Sequence, residues 1–270
     1  MLRRNFLLTP ATAFALTRTL KIGHRQASLR LAGPALFRHA QRIPGLTGIE
    51  PQVHYQGQTL WDKATLQVYK NASADTGILI PSLSGVWEKG ASLLQPAVAE
   101  ATLRKSIASA EMLGARVILV ASFRDNCPRM SDESSYGPVL AMLRKVAPVA
   151  ASAGVTLGME TSLSPQDDGK LVDLVAHPNV KIYFDANNTE FYGHKGGSVA
   201  GIPLLGQRIC QVHCKNEDRL LEEPGRVDWA ATLHALQSIQ YGGWYVFETQ
   251  HSSAEQSIDA TKRNIAFLTR

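Results

Sequence analysis

The 270-residue chain has few cysteines, no long apolar run and no dinucleotide-binding glycine motif. Its three cysteines, Cys127, Cys210 and Cys214, are too few for a disulfide framework and lack the spacing of a zinc finger. No stretch of about eighteen apolar residues occurs, which excludes an integral membrane bundle. No G-x-G-x-x-G follows an early predicted strand, so the phosphate-binding loop of an open doubly wound sheet is missing. With 44% hydrophobic residues, the chain can still fill a sizeable core.

Acidic residues are absent from the first thirty positions, and this asymmetry accounts for the net charge of +5. The basic residues found there are Arg3, Arg4, Arg18, Lys21, Arg25 and Arg30. The remaining 240 residues hold 22 basic and 23 acidic side chains, which sum to −1. A nucleic-acid-binding face requires a basic patch on the folded body, so we expect no nucleic-acid partner.

Residues 1–19 have features of an export signal. The pair Arg3 and Arg4 precedes a short apolar stretch at 6–8, and small residues follow at Ala13 and Ala15. The pattern is similar to a twin-arginine signal, which would place the protein in the periplasm. The alternative is an N-terminus without a targeting role, and hence a cytoplasmic protein. In both cases we expect residues 20–270 to form one folded domain without membrane insertion.

Short β-rich segments alternate with longer helical segments from about Leu20 onward. The predicted strands are Leu20–Gly23, Gly48–Val53, Gly77–Pro81, Arg116–Ala121, Val155–Glu160, Val180–Asp185, Ile209–His213 and Trp244–Glu248. The predicted helices include Ala97–Leu113, Val139–Ala153, Asp167–Val175, Trp229–Ile239 and Ala254–Leu268. Strand and helix repeated eight times in about 250 residues are typical of a (β/α)8 TIM barrel, a single-domain α/β fold.

The last four predicted strands each end in an ionisable residue. These residues are Glu160, Asp185, His213 and Glu248, separated by 25, 28 and 35 positions. The carboxyl ends of barrel strands form one rim, where active sites lie. Each of these four strands therefore contributes one ligand atom to the same rim. Three carboxylates and one imidazole suit a divalent ion, with Mn²⁺ expected first and Mg²⁺, Co²⁺ or Zn²⁺ as alternatives. Without a cation these carboxylates would repel one another strongly.

Each of these four residues also has a purely structural interpretation. An acidic residue at a strand end often only caps the following helix. A lone histidine is more often a buried structural residue than a ligand. Four consecutive strands that end in this way favour the metal site over four independent coincidences.

Five segments surround these residues in a characteristic order. They are G-V-T-L-G-M-E (154–160), Y-F-D-A-N-N (183–188), V-H-C-K-N-E-D-R (212–219), G-R-V-D-W (225–229) and Y-G-G-W-Y-V-F-E (241–248). Together they resemble the xylose isomerase-like TIM barrels, which include sugar epimerases and isomerases of the D-tagatose 3-epimerase type. The resemblance implies that the four strand-end residues bind one divalent ion and that Glu160 and Glu248 form the acid–base pair. It also implies a substrate contact for Arg219.

Two positions depart from the pattern of this family. Asn188 stands where many relatives carry a substrate-contacting histidine, and Gln166 stands where such epimerases often have a second glutamate. Both residues keep hydrogen-bonding capacity but lack charge. They are candidates for substrate binding, and the departures leave the substrate and the reaction step open.

Three more residues are candidates for the substrate pocket. Lys215 lies two positions after His213 and therefore shares its inward face, although a salt bridge to a ligand carboxylate is the alternative. His54 and Trp87 follow the second and third predicted strands and are candidates for the pocket walls. Packing against the barrel core is the alternative for both.

These observations favour a divalent-metal-dependent sugar isomerase or epimerase in which two glutamates transfer a proton through an enediolate. A metal-dependent lyase or dehydratase that acts on a keto-inositol or a 3-keto sugar would use the same residues. A DNA-repair enzyme related to the AP endonucleases would need more metal ligands and a basic groove. A non-catalytic sugar-binding barrel would not require four ligating residues.

The expected substrate is a small sugar or cyclitol. A free sugar or a glycoside-derived ketone is favoured, because no phosphate cradle is visible in the sequence. The oligomeric state is open, and a homo-oligomer is one of the options.

Overall fold

The computed structural model describes residues 20–270, and the predicted leader at 1–19 lies outside these described residues. Its central sheet has eight parallel strands, which are β1 (Lys21–Arg25), β2 (Gly48–Glu50), β3 (Ser82–Leu83), β4 (Val117–Ser122), β5 (Thr156–Thr161), β6 (Val180–Asp185), β7 (Ile209–Cys214) and β8 (Trp244–Phe247). Their spatial order is β2-β1-β8-β7-β6-β5-β4-β3. A small antiparallel hairpin pairs His54–Tyr55 with Gln58–Thr59.

Helices follow the strands and form the outer layer of the barrel. The principal helices are α1 (Gly33–Gln41), α2 (Lys63–Thr76), α3 (Pro96–Leu113), α4 (Glu133–Ser152), α5 (Pro165–Val175), α6 (Gly197–Leu205), α7 (Trp229–Ser238) and α8 (Ala254–Leu268). Short helices also occur at Gln26–Leu29 and Ala186–Phe191, and 3-10 turns occur at Arg124–Asn126 and Gly206–Arg208. This alternation confirms the predicted (β/α)8 TIM barrel.

The two edges of the sheet meet through isolated parallel bridges. Gly48 bridges Leu79, and Gln52 bridges Ser84. The backbone N–H of Ile49 donates to the carbonyl of Leu79 over 2.9 Å. A β-carbon at position 48 would lie 2.6 Å from Trp244 Cζ3, so the closing point has room only for glycine. The barrel is therefore nearly closed.

Side-chain caps explain where most of the helices begin. The capping residues of α2, α4, α5, α7 and α8 are Asp62, Asp132, Ser164, Asp228 and Ser253. Each side-chain oxygen accepts a backbone N–H of the first helical turn, a contact that stabilises a helix by about 0.5–2 kcal/mol. Because Asp132 caps α4, this helix begins six residues before the predicted Val139 and contains both Pro138 and Pro148.

The third strand is the main difference between the predicted and the observed elements. The sequence predicts it at Gly77–Pro81, whereas regular pairing occurs at Ser82–Leu83. Residues 77–80 are joined to the sheet only through the bridge at Leu79. Pro81 has no N–H to donate to a ladder, which interrupts the pairing at this point.

The apolar core lies inside the barrel and between the barrel and the helices. Leu103 and Ile107, one turn apart on α3, are buried against the sheet, as are Leu157 of β5 and Val212 of β7. Within residues 20–270, no helix has the length and apolarity needed to cross a membrane.

Candidate metal centre and substrate cavity

The strand register brings the four predicted ligands to one rim of the barrel. Asp185 of β6 pairs in register with His213 of β7, and His213 pairs with Val246 of β8. Since strand side chains alternate, Glu248, two residues beyond Val246, points to the same side. One ligand atom from each of Glu160, Asp185, His213 and Glu248 lies within 4.8 Å of the others. We call these four residues the metal cluster.

His213 is the centre of this cluster and is completely buried. Its Nδ1 lies 3.4 Å from Glu160 Oε1, 3.4 Å from Glu248 Oε2 and 3.8 Å from Asp185 Oδ2. Its other ring nitrogen, Nε2, lies 3.3 Å from Glu50 Oε1. The imidazole therefore presents one nitrogen to three carboxylates and the other to a fourth.

Glu50, the last residue of β2, belongs to a buried polar network beneath the cluster. Its Oε2 accepts hydrogen bonds from Ser82 Oγ at 2.6 Å and from the Tyr183 hydroxyl at 2.7 Å. Gln211 Nε2 donates to both of these hydroxyl oxygens, at 2.6 and 2.8 Å. We call Glu50, Ser82, Tyr183 and Gln211 the Glu50 network. The sequence prediction did not include it.

Two cations balance part of the negative charge. Lys215 Nζ lies 2.8 Å from Asp185 Oδ2 and 2.7 Å from Glu248 Oε2. Arg25, the last residue of β1, forms an ion pair with Glu248 Oε1. The contacts of Lys215 agree with the salt-bridge interpretation of this residue, and Arg25 was not predicted from the sequence.

The electrostatic environment shifts the pKa values of two buried carboxylates of the cluster, Glu160 and Asp185, in opposite directions. Burial raises the pKa of Glu160, but His213, Lys215 and Arg25 outweigh this effect and lower that pKa to about 2. Burial raises the pKa of Asp185 above its usual value despite the nearby Lys215. Burial lowers the pKa of His213, but Glu160 and Glu50 reverse this effect and the net shift is upward. Glu160 is therefore ionised at neutral pH.

The cluster has the composition and the charge of a divalent-cation site. Carboxylate oxygens and one imidazole nitrogen are the ligands preferred by Mn²⁺, Mg²⁺ and Co²⁺. Glu50 adds a fourth carboxylate to those of the cluster, while Arg25 and Lys215 supply two positive charges. With neutral His213, the group carries a net charge of −2, which one divalent ion would neutralise. The residues present therefore fit such an ion.

A cavity of about 750 Å³ opens next to the cluster. Its walls include Arg25, Arg30, Asn188, Lys215, Glu248 and His251. Glu248 and Lys215 therefore belong both to the cavity wall and to the cluster contacts, whereas Glu160, Asp185 and His213 are buried. A cavity of this size is in the usual range for sites that bind small molecules.

Two of the predicted substrate-binding residues line this cavity. Asn188 follows Asp185 by three residues, and the Asp185 side chain caps the short helix that carries it. Asn188 Nδ2 donates to Glu160 Oε1 over 2.8 Å, which connects the cavity wall to the cluster. Lys215 is the second, and its predicted inward orientation agrees with its contacts to Asp185 and Glu248.

The other four predicted substrate residues do not line the main cavity. Arg219 is exposed, donates to the Pro224 carbonyl and lines a separate cavity of about 350 Å³. Gln166 is exposed in the first turn of α5. The His54 ring packs against Trp61, and Trp87 Nε1 donates to the Ala121 carbonyl over 2.7 Å. Substrate contact by these four residues remains a prediction.

Comparison with known proteins identifies relatives of the whole barrel. The family model described as "Xylose isomerase-like TIM barrel" matches residues 37–270. A curated relative is the 2-epi-5-epi-valiolone 7-phosphate 2-epimerase of Actinoplanes sp., 29% identical over 178 residues. That match covers 65% of this chain and 65% of the relative, so the chain spans slightly less than two thirds of the relative's length.

Solved structures with the same fold cover almost the whole chain. The 3-keto-D-glucoside 4-epimerase from E. coli is 15% identical with a TM-score of 0.74, and the alignment covers 92% of this chain and 98% of that one. The D-allulose 3-epimerase from Methylomonas sp., in complex with D-allulose, is 18% identical with a TM-score of 0.73, covering 92% and 96%. Because these two sequences are only 15% and 18% identical to this chain, the structural similarity establishes the fold alone. Together with the family match over residues 37–270, it establishes that the chain belongs to the xylose isomerase-like TIM barrel family.

Proposed function

We propose that this protein is a divalent-metal-dependent epimerase or isomerase of a sugar or cyclitol, with Glu160 and Glu248 as the proton-transferring pair. The observation that carries the proposal is the convergence of both glutamates on His213 Nδ1, each at 3.4 Å, beside a cavity of small-molecule size. The names of the curated relative and of the structural neighbours, which are epimerases, support the same reaction class.

The four cluster residues would hold the ion, and the cluster carboxylates would also carry the reaction. A divalent ion bound there supplies Lewis-acid polarisation of a substrate carbonyl, with Mn²⁺ as the proposed metal. Glu248 lines the cavity and is held by Arg25 and Lys215, which supports a role for it in removing a proton from the carbon next to that carbonyl. Glu160 is ionised and is oriented by Asn188.

The two glutamates then divide the proton transfer between them. In epimerisation, one removes the proton from one face of the carbon and the other returns a proton to the opposite face. In isomerisation, the proton returns to the neighbouring carbon. We propose that Lys215 and Asn188, which lie on the cavity wall, donate hydrogen bonds to substrate oxygens and position this carbon.

The alternative functions differ in what they require of these residues. A lyase would use the same cluster but would release the hydroxyl on the next carbon as water. A DNA-repair enzyme with three metal ions would need more ligands, and the described residues contain a single cluster of metal-binding type. The 22 basic and 23 acidic residues beyond position 30 also provide no overall positive charge for DNA.

Turnover in deuterium oxide tests the proposed reaction directly. Purified protein loaded with Mn²⁺ should convert at least one member of a panel of ketoses, 3-keto glycosides and inososes, each tested with and without a phosphate group. The product should carry deuterium at the carbon next to the carbonyl, because the glutamate that returns the proton exchanges with solvent. Epimerised product without deuterium would contradict the two-glutamate proposal and indicate hydride transfer, whereas a product that lacks one water relative to the substrate would indicate the lyase.

Arg30 provides a test of the substrate class. This residue lines the main cavity and takes part in none of the ion pairs found among residues 20–270. The curated relative acts on a 7-phosphate, and an arginine is suited to bind such a group. We therefore propose a phosphorylated cyclitol or sugar as substrate, in contrast to the free sugar favoured by the sequence.

The Arg30→Ala variant should raise the KM of a phosphorylated substrate by roughly 10- to 100-fold, the effect of losing a charge-assisted hydrogen bond. The KM of the unphosphorylated analogue should stay unchanged. Arg38→Ala, which removes the same charge from the exposed face of α1, serves as the control. Equal effects of Arg30→Ala on both substrates would contradict a phosphate contact.

A further inference from the structure

The two nitrogens of His213 have different partners, and this difference determines which of them can bind a metal. Nδ1 faces the carboxylates of Glu160, Asp185 and Glu248, while Nε2 faces Glu50 Oε1 at 3.3 Å. A neutral imidazole carries one proton, and only its unprotonated nitrogen can coordinate a metal. A carboxylate is an acceptor and draws the proton to the nitrogen that faces it. The three carboxylates on the Nδ1 side belong to the metal cluster and would be neutralised by the ion that they share, whereas Glu50 lies outside the cluster and stays available as the acceptor of the proton.

We propose that Glu50 is a positioning residue that holds the proton of His213 on Nε2 and thereby keeps Nδ1 free as a metal ligand. This inference rests on the metal centre of the proposed function. Glu50 does not touch the cavity and is completely buried, so its part in the site is to orient His213 rather than to contact substrate.

The Glu50 network fixes the direction in which the carboxylate points. Ser82 Oγ and the Tyr183 hydroxyl both donate to Oε2, which leaves Oε1 as the oxygen that faces His213. Gln211 Nε2 donates to both hydroxyl oxygens, so each hydroxyl has its own proton available for Oε2. The network therefore orients the carboxylate, and the carboxylate orients the imidazole.

This arrangement makes Glu50→Gln an informative substitution. A glutamine side chain has the same shape as a glutamate side chain, but one of its two acceptor oxygens is replaced by an NH2 donor. The amide oxygen should replace Oε2, where two hydroxyls donate, and the amide NH2 should then face His213 Nε2. Two N–H groups cannot face each other, so Nε2 must become an acceptor. The proton would move to Nδ1, where it blocks metal binding.

The test is calorimetric titration of the metal-free full-length protein with Mn²⁺, together with its thermal unfolding without metal. Loss of an outer carboxylate partner of a metal-bound histidine typically weakens metal binding by about 10- to 100-fold, and we expect this loss for Glu50→Gln. Asp168→Asn is the matched control, since it makes the same carboxyl-to-amide change at another buried residue, whose carboxyl accepts a hydrogen bond from Thr161 and lies outside both the metal cluster and the Glu50 network. It should bind Mn²⁺ with nearly wild-type affinity even if its unfolding temperature falls.

The outcomes separate this inference from the proposed function. If the wild-type protein binds no divalent ion at the cluster, both fail. If wild type binds and Glu50→Gln binds equally well, only the role of Glu50 is overturned. If Glu50→Gln and Asp168→Asn lose affinity equally, the loss reflects a general disturbance of the fold and the inference is also overturned.

A measurement on the wild-type protein covers the case in which Glu50→Gln does not fold. Nitrogen-15 NMR of histidine-labelled, Zn²⁺-loaded protein should show His213 with a protonated Nε2 and a metal-bound Nδ1. The His213 signals are identified by their absence from the spectrum of the His213→Gln variant. A protonated Nδ1, or coordination through Nε2, would contradict the proposal.

Discussion

Glu160→Gln should abolish epimerisation while the protein keeps its fold and its ability to exchange one substrate proton. The substitution leaves an oxygen that can still accept the hydrogen bond of Asn188 Nδ2, so the local structure should persist. The amide cannot accept or return a proton. Loss of a general acid–base residue typically slows turnover by roughly 10²- to 10⁴-fold, and we expect an effect of this size at saturating Mn²⁺.

Isotope exchange should distinguish the role of Glu160 from the role of Glu248. Each glutamate serves one face of the reacting carbon, so a variant that lacks one of them retains the other. Glu160→Gln should therefore exchange deuterium into only one of two epimers, and Glu248→Gln into only the opposite epimer. Glu111→Gln, the same change on an exposed position of α3, should behave as wild type. Exchange of both epimers by either site variant would contradict the division of roles between Glu160 and Glu248.

Removal of divalent ions should eliminate activity and lower thermal stability together. The metal cluster, Glu50, Arg25 and Lys215 carry a net charge of −2 with neutral His213, so the folded state gains a favourable interaction when a divalent ion binds. At a hundredfold excess of ion over Kd, this binding stabilises the folded protein by about 2.7 kcal/mol. For a chain of this size, the melting temperature should rise by roughly 5–10 °C.

The measurement combines elemental analysis, calorimetry and assay on the same preparation. Chelation should remove turnover, and Mn²⁺ or Co²⁺ should restore both turnover and the melting temperature. His213→Gln should show neither response, because it removes the only nitrogen ligand of the cluster. Full activity in protein shown by elemental analysis to be free of metal would exclude the Lewis-acid role of the ion.

The sequence predicted the metal cluster because the physical rule behind it is local. Parallel barrel strands end on one rim, and the side chain at the end of each strand therefore reaches a common centre. Glu160, Asp185, His213 and Glu248 could be found from strand boundaries alone, and the structure brings one atom of each within 4.8 Å. The same rule did not find Arg25 and Glu50, because the first two strands were predicted to end at Gly23 and Val53, whereas they end at Arg25 and Glu50.

The rest of the site depends on contacts that no local rule specifies. Tyr183 and Gln211 lie two positions before Asp185 and His213 and therefore share their inward faces. The hydrogen bonds from Tyr183 to Glu50 and from Gln211 to Ser82, however, join strands that are distant in the chain. Arg219 and Gln166 lie in segments that follow strands. In such segments, the number of residues after the strand does not determine the direction in which a side chain points. The third strand was predicted too early because Pro81 interrupts the pairing, so that only Leu79 bridges the sheet before regular pairing begins at Ser82.

Anomalous diffraction from crystals soaked in Mn²⁺ tests the central claim most directly. One strong peak should lie within bonding distance of a carboxylate oxygen from each of Glu160, Asp185 and Glu248 and of His213 Nδ1. In the same map, Lys215 Nζ should no longer contact both Asp185 and Glu248. A manganese peak elsewhere, or no peak at a concentration that supports turnover, would show that these four residues are not the metal centre.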